Sequence, residues 1–149
     1  MPPLPPILLV EDNADDVYFM ERALKGVDIR HPLHVATSGF EAIEYLSGEG
    51  RFADRLAFPL PALVLLDLKL PGKGGHEVLE WIRRRPELRP IVVIVMTTSR
   101  ERSDVQRAYE LGANAYLVKP TGAPALLEQV KTLKTFWLDQ NEFCQTTRR

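Results

Sequence analysis

Apolar residues fall along the chain in two alternating rhythms. Unbroken runs at Ile7 to Val10, Leu63 to Leu66 and Ile91 to Met96 read as strands buried on both faces, and weaker runs at Leu33 to Ala36 and Ala115 to Val118 bring the set to five. Between them apolar positions three or four apart predict helices: Val17, Met20, Leu24 and Val27 over about residues 14 to 26, then Phe40, Ile43 and Leu46 on one face of a second. Val78, Leu79 and Ile82 make a third stripe ending before Pro86, a short fourth helix ends at Gly112, and Leu126, Val130, Leu133 and Trp137 mark a fifth. Asn13 suits the N-cap of the first, with Asp15 and Asp16 complementing the helix dipole, and Pro124 suits the first turn of the last. Ser38 with Glu41, and Ser103 with Gln106, have the spacing of capping boxes. From Gly48 to Pro61 no period holds, which predicts a surface excursion.

Strands that alternate with helices imply a parallel sheet with right-handed crossovers and helices on both faces. The expected fold class is α/β, a flavodoxin-like (βα)5 three-layer sandwich; the pattern leaves strand order open, and 2-1-3-4-5 is the common solution at this size. With 149 residues, one domain is expected over 1–149, with a core of about 6–135 and an extended C-terminal helix and tail of about 136–149. A hydrophobic fraction of 45% with 26% charged residues is globular composition, and no apolar run reaches the length of a membrane span. A formal charge of −1, with no basic cluster longer than Arg83 to Arg85 before the terminal Arg148 and Arg149, gives no support to nucleic-acid binding. The single cysteine, Cys144, excludes an internal disulfide framework, and Met1 to Pro6 does not resemble a secretory leader, so a cytoplasmic location is expected. His31, His34 and His76 show no paired ligand spacing.

Polar residues stand where four of these strands end. Glu11 and Asp12 follow the first, Asp67 the third, Thr97 the fourth and Lys119 the fifth. The carboxyl ends of parallel strands point one way, so these groups converge. Close carboxylates repel by about 4 kcal/mol per pair at an intermediate dielectric, a cost that a hard divalent cation such as Mg²⁺, an oxygen-ligand metal, cancels. Asp67, on the most buried strand and followed by the loop Leu68 to Gly75, is then a candidate nucleophile toward a phosphoryl group, with Lys119 and Thr97 placed to bind its oxygens. Taken singly, an acidic pair before a helix or a Lys-Pro turn is more often structural; it is their joint placement at four strand ends that points to a site.

The segments LLVEDN, LVLLDLKLPGKGG, IVVIVMTTS and AYLVKP, in this order, resemble those of a receiver domain of a bacterial two-component response regulator, and the likeness runs along nearly the whole chain. The resemblance implies the 2-1-3-4-5 order and a signalling phosphoacceptor that catalyses only its own phosphorylation and dephosphorylation. Asp67 is then the site phosphorylated by a sensor histidine kinase, Glu11 and Asp12 the acidic pair for Mg²⁺, and the Lys69 backbone carbonyl a further ligand. Thr97 and Lys119 would bind the phosphoryl group, and Thr97 with Tyr116 would form the switch that alters the face of helix 4, strand 5 and helix 5. Lys69 and Ser99 hold the positions that tune dephosphorylation, and the Lys119–Pro120 bond is expected to be cis. Glu11 stands where many receivers have aspartate, and its extra methylene suits a water-mediated metal contact.

The 48–61 excursion and the aromatic pair Phe136 and Trp137 are similar to single-domain regulators that partner phytochromes, which implies a bacteriophytochrome kinase, a phosphorelay, a homodimer and no attached output domain. For Trp137 two readings stand, packing of a long last helix or a dimer contact. Two other functions fit a strand-end acid on this fold. An aspartyl phosphatase of the haloacid dehalogenase kind requires a second aspartate where Lys69 stands, and a flavin-binding electron carrier requires an uncharged phosphate loop where the chain has EDNADD.

Overall fold

Each of the five apolar runs forms a strand in the computed structural model, which describes residues 3–144. In chain order the main elements are β1 Ile7–Val10, α1 Ala14–Gly26, β2 Leu33–Ala36, α2 Gly39–Ser47, β3 Leu63–Leu66, α3 Gly75–Arg83, β4 Val92–Thr97, α4 Arg102–Glu110, β5 Ala115–Val118 and α5 Ala123–Leu133. All strand pairs are parallel, in the order β2-β1-β3-β4-β5. The fold is therefore the flavodoxin-like sandwich that the alternation and the resemblance imply. Among the described residues, no helix is long and apolar enough to cross a membrane.

Alternation along the strands splits the core into two layers. Leu8, Val10, Val64, Leu66 and Val93 face α2 and α3, where they meet Ala42, Tyr45, Leu46, Val78, Leu79 and Ile82. Ile7, Leu9, Leu63, Leu65, Ile94 and Met96 face α1 and α5, against Met20, Leu24, Val130 and Leu133. A third, smaller cluster of Leu68, Val95 and Ala108 seats α4, with Tyr116 packed against it.

Several local expectations are corrected. On α2 the buried face is Ala42, Tyr45 and Leu46, while Phe40 is exposed with the Lys73 ammonium 5.5 Å from its ring centre. Ser38 does cap α2 by accepting the Glu41 N–H, but Glu41 accepts from the Thr37 N–H at 2.7 Å rather than closing the box on Ser38. Ser103 does not cap α4, which starts one residue before it without a side-chain cap; Ser99, in the preceding loop, accepts the Glu101 N–H instead.

The 48–61 segment is not a simple excursion. Phe52 and Leu60 are buried, and Phe52, Phe58, Tyr45 and His34 form an aromatic cluster, edge-to-face except for the tilted Tyr45–Phe52 pair. Arg55 donates to the carbonyls of Tyr45, Leu46 and Phe58, satisfying the last turn of α2 with a cation where the helix dipole favours one.

The last helix also departs from a uniform 3.6 period. Residues Lys134–Gln140 widen into a π-helix, closed by Asn141 N–H donating to the Phe136 carbonyl at 2.8 Å. The change of pitch leaves Trp137 half-buried against the α1/α5 layer and Phe136 exposed, with the two rings edge-to-face at 4.8 Å. Arg148 and Arg149, and Met1 at the other end, lie outside the described residues.

Candidate functional site

The backbone ladder continues one residue beyond three strands: Glu11 N–H donates to Ala36 O at 2.9 Å, Asp67 N–H to Val10 O at 3.1 Å and Lys119 N–H to Thr97 O at 2.8 Å. Because the extended register persists, the period of two persists with it. Glu11 follows Leu9, Asp67 follows Leu65 and Lys119 follows Leu117, all of which face α1 and α5. Three strands thus deliver two acids and one amine to the same side of the same sheet end.

There Lys119 Nζ donates to Glu11 Oε1 at 2.6 Å, Asp67 Oδ2 at 2.9 Å and Asp16 Oδ2 at 3.0 Å. Glu11 and Asp67 are buried, whereas Asp16 is half-exposed on the first turn of α1. Burial opposes the charge on Lys119, but its bonds to Glu11, Asp67 and Asp16 prevail and hold the ammonium well above its ordinary range. Burial pushes the Glu11 carboxyl up, against the lowering pull of Lys119 and of the Asn13 N–H, and the charge of Asp67 raises it further. One ammonium cannot balance two buried carboxylates, so the site keeps an excess of negative charge.

That excess, and the donor chemistry, fit a hard divalent cation. Glu11, Asp12 and Asp67 can each offer an oxygen within 4.8 Å of the others, with Asp12 on the solvent side. Asp67 Oδ1 also accepts the Lys69 N–H at 3.1 Å, which folds the following loop over the carboxylate while the Lys69 side chain stays exposed. Gly75 secures that loop: a Cβ there would stand 2.3 Å from the Asp67 carbonyl oxygen, so only glycine lets α3 start against the acid's own backbone.

Thr97 has the opposite parity, following Val95 onto the α4 side. It is fully buried, and its Oγ1 has no hydrogen-bond partner. Tyr116 lies on the same side; its hydroxyl donates to the Ser99 carbonyl at 2.9 Å, and burial raises its pKa despite that bond. A buried orphan hydroxyl at the end of the strand next to that of Asp67 is a donor without an acceptor, and leaving it unpaired costs about 1–3 kcal/mol.

Of the candidates, Glu11, Asp12, Asp67 and Lys119 come together while Thr97 and Tyr116 lie on the α4 side, with one addition to the set and one correction. By its position Asp16 reads as a complement to the dipole of α1, yet its carboxylate also reaches Lys119, and no local spacing signals that contact. The Lys119–Pro120 bond is trans, as are all peptide bonds among the described residues. For an X-Pro bond trans is the lower form by about 0.5–1 kcal/mol. Phe136 and Trp137 lie on the segment after α5 and take no part in the acid cluster.

A response regulator receiver domain matches residues 7–131 of the chain. The chain belongs to the response regulator receiver family. This receiver is 40% identical over 133 residues to Response regulator Rcp1 of Synechocystis sp., covering 89% of its own length and 88% of that protein. Among solved structures it is similar to the phosphorylated cyanobacterial phytochrome response regulator RcpA, with a TM-score of 0.88 and 36% identity over 95% of this chain and 99% of that one. It is likewise similar to the Mn²⁺-bound form of Rcp1, with a TM-score of 0.86 and 38% identity over 95% and 99% of the two chains. It is thus a signalling protein with phytochrome-associated relatives.

Proposed function

We propose that this receiver accepts a phosphoryl group on Asp67 from a sensor histidine kinase, in a reaction that requires Mg²⁺. The observation that carries the reading is the pairing of Asp67 with Lys119 at 2.9 Å, with the unpartnered, buried hydroxyl of Thr97 at the end of the neighbouring strand. Glu11, Asp12, Asp67 and the Lys69 carbonyl would hold the cation, which when bound neutralises charge on the transferring group. Asp67 contributes the attacking oxygen: a bond forms from it to phosphorus as the bond to the donor's nitrogen breaks, and the electron pair leaves with the donor imidazole. Lys119 orients Asp67 before transfer and pairs with a phosphoryl oxygen after it. Thr97 gains its missing acceptor from the same group, which gives phosphorylation a differential contact between two arrangements of the β4–α4 loop. Tyr116, already bonded to that loop, follows, and the face of α4, β5 and α5 changes with it.

The similarity to RcpA, a cyanobacterial phytochrome response regulator, supports a bacteriophytochrome as the kinase. The exposed Phe136 beside Trp137 supports a homodimer contact along that same face. Incubation with a small phosphodonor and Mg²⁺, followed by intact mass, tests the acceptor: the mass of one phosphoryl group is added to the wild type and not to Asp67→Asn. An adduct that survives the substitution refutes the assignment.

A further inference from the structure

Lys119 commits all three of its ammonium protons, and its acceptors are not equivalent. Nζ donates to Glu11 Oε1, Asp67 Oδ2 and Asp16 Oδ2. Glu11 and Asp67 belong, with Asp12, to the carboxylates that can close on a divalent cation; among the described residues, Asp16 stands outside that group. An incoming cation therefore competes with the ammonium for two of its three acceptors and repels it besides. Asp16 is the acceptor left over. Its place is fixed by a helix rather than by a strand end: the Asp16 N–H donates to Asn13 Oδ1 at 3.0 Å, the cap that sets this carboxylate on the first turn of α1. Asp16 and Lys119 line one cleft with Leu9, Met20 and Leu65, so an ammonium deprived of Asp16 has an apolar lining on one side and water on the other.

We propose that Asp16 is a positioning residue that retains Lys119 beside Asp67 while a divalent cation occupies the other carboxylates. The inference rests on Asp67 being the phosphoryl acceptor. With acetyl phosphate as donor, a bond forms from an Asp67 carboxylate oxygen to phosphorus, the bond from phosphorus to the acetyl oxygen breaks, and its electron pair leaves on acetate; no proton moves. Through that step Lys119 must stay close enough to exchange Asp67 for a phosphoryl oxygen, and a flexible four-carbon side chain without an anchor spends part of its time in solvent. Asp16 supplies the anchor and acts through the ammonium alone. With the Asp16 side chain 44% exposed, the pair adds little to fold stability, so its loss changes where Lys119 sits and not whether the chain folds.

The full chain is tested in saturating Mg²⁺ and in chelator, in separate samples, with an N-hydroxysuccinimide ester that labels free amines and with acetyl phosphate, both read by mass. In Mg²⁺, Asp16→Ala is expected to label at Lys119 about three- to fivefold faster than wild type, the factor carried by a partly exposed ion pair at the upper end of its range. Lys131 on α5, 55% exposed, is the internal reference and is expected to label at an unchanged rate. In chelator the difference at Lys119 is expected to shrink, because Glu11 and Asp67 then hold the ammonium. The phosphoryl adduct on Asp67 is expected to accumulate about three- to fivefold more slowly in Asp16→Ala, and Asp16→Asn, whose amide oxygen still accepts, to recover part of both effects. Asp15→Ala removes the same charge from the same turn and is expected to match wild type in both assays. The proposal is overturned by equal labelling of Lys119 in wild type and Asp16→Ala in Mg²⁺, or by an Asp15→Ala that reproduces the change. Faster labelling of Lys131 as well, the mark of a merely structural role, overturns it too, as does a transfer rate that holds when Lys119 is freed. A wild-type chain that takes no phosphoryl group on Asp67 overturns the acceptor reading and this inference together. A phosphorylated wild type with an indifferent Asp16 overturns this inference alone.

Discussion

Replacing Lys119 with methionine removes the one cation shared by Glu11, Asp67 and Asp16, and its consequences have opposite signs with and without metal. Nζ lies 2.6, 2.9 and 3.0 Å from the three oxygens. At an effective dielectric near 20 such a pair attracts by about 6 kcal/mol, but desolvation of both partners offsets most of that. The side chains of Lys119, Glu11 and Asp67 are 17%, 4% and 9% exposed, so the Glu11 and Asp67 contacts count as buried, whereas Asp16 at 44% is screened and contributes little. Truncating one member of a buried pair costs about 3–5 kcal/mol; with proton uptake by Glu11, whose pKa is already raised by burial, the lower figure applies. For a chain of this length about 3 kcal/mol corresponds to a fall in Tm of about 6–12 °C. Mg²⁺ should reverse the order. The ammonium bonded to Glu11 and Asp67 repels a divalent ion held by the same carboxylates, so Lys119→Met should bind Mg²⁺ more tightly than wild type. Thermal unfolding in chelator and in a Mg²⁺ titration measures both. A variant as stable as wild type in chelator, or one that binds Mg²⁺ no more tightly, refutes the account of the site as an acid excess restrained by one ammonium.

Two further perturbations probe how the frame is held. Burial pushes the Tyr45 phenol from 10.0 up to about 12, so above pH 10 the unfolded chain ionises first and folding stability falls as pH rises from about 10 to about 12, by about 2 kcal/mol. Denaturant unfolding across that range should show a steeper loss in wild type than in Tyr45→Phe; equal slopes would exclude Tyr45 as the source. Arg83→Ala strips donors from Gly112 O, Arg89 O, Ile91 O and Asn114 Oδ1, which tie the end of α3 to the start of β4 and the α4–β5 turn, and should cost about 3 kcal/mol in chemical denaturation. Lysine at that position should recover little, since one ammonium cannot serve a fork of acceptors, and full recovery would show that charge alone matters.

Strand positions were legible because buried parallel strands carry unbroken apolar runs, and four of the five bounds agree to the residue; β4 begins one residue later and ends one later than its run. The acid, hydroxyl and amine at the strand ends were legible for the same reason, since topology alone sends those ends to one place. What was not legible depended on partners distant in sequence. Arg83 reads as one of three consecutive arginines, and nothing nearby announces the carbonyls of Ile91 and Gly112 that it serves. Phe52 and Phe58 lack a period because they pack on Tyr45 and His34 from a turn, where no repeat exists to be seen. Asp16 has a sufficient local explanation as a dipole complement, which concealed its reach to a lysine 103 residues away.

The parity of the strand ends bears on how such a site can signal. Glu11, Asp67 and Lys119 continue the side of the sheet that faces α1 and α5, and the cleft of about 250 Å³ beside them is lined by Leu9, Met20, Leu65 and Leu126 from that layer. Thr97, Ser99 and Tyr116 belong to the other side, where the small cluster of Leu68, Val95 and Ala108 seats α4. A group bonded to Asp67 is therefore approached from one face and sensed from the other, and the only structure between them is the rim of the sheet. Among the described residues, the orphan Thr97 hydroxyl is the one buried donor at that rim without an acceptor, whereas Lys119 has three acceptors already. Lys119 exchanges one carboxylate for another acceptor with little change in its count; Thr97 passes from no bond to one. On the proposed function the larger differential contact falls to Thr97, which would carry the bias to α4 through the loop that the Ser99 hydroxyl ties to Asp104, rather than to α1 through Asp16.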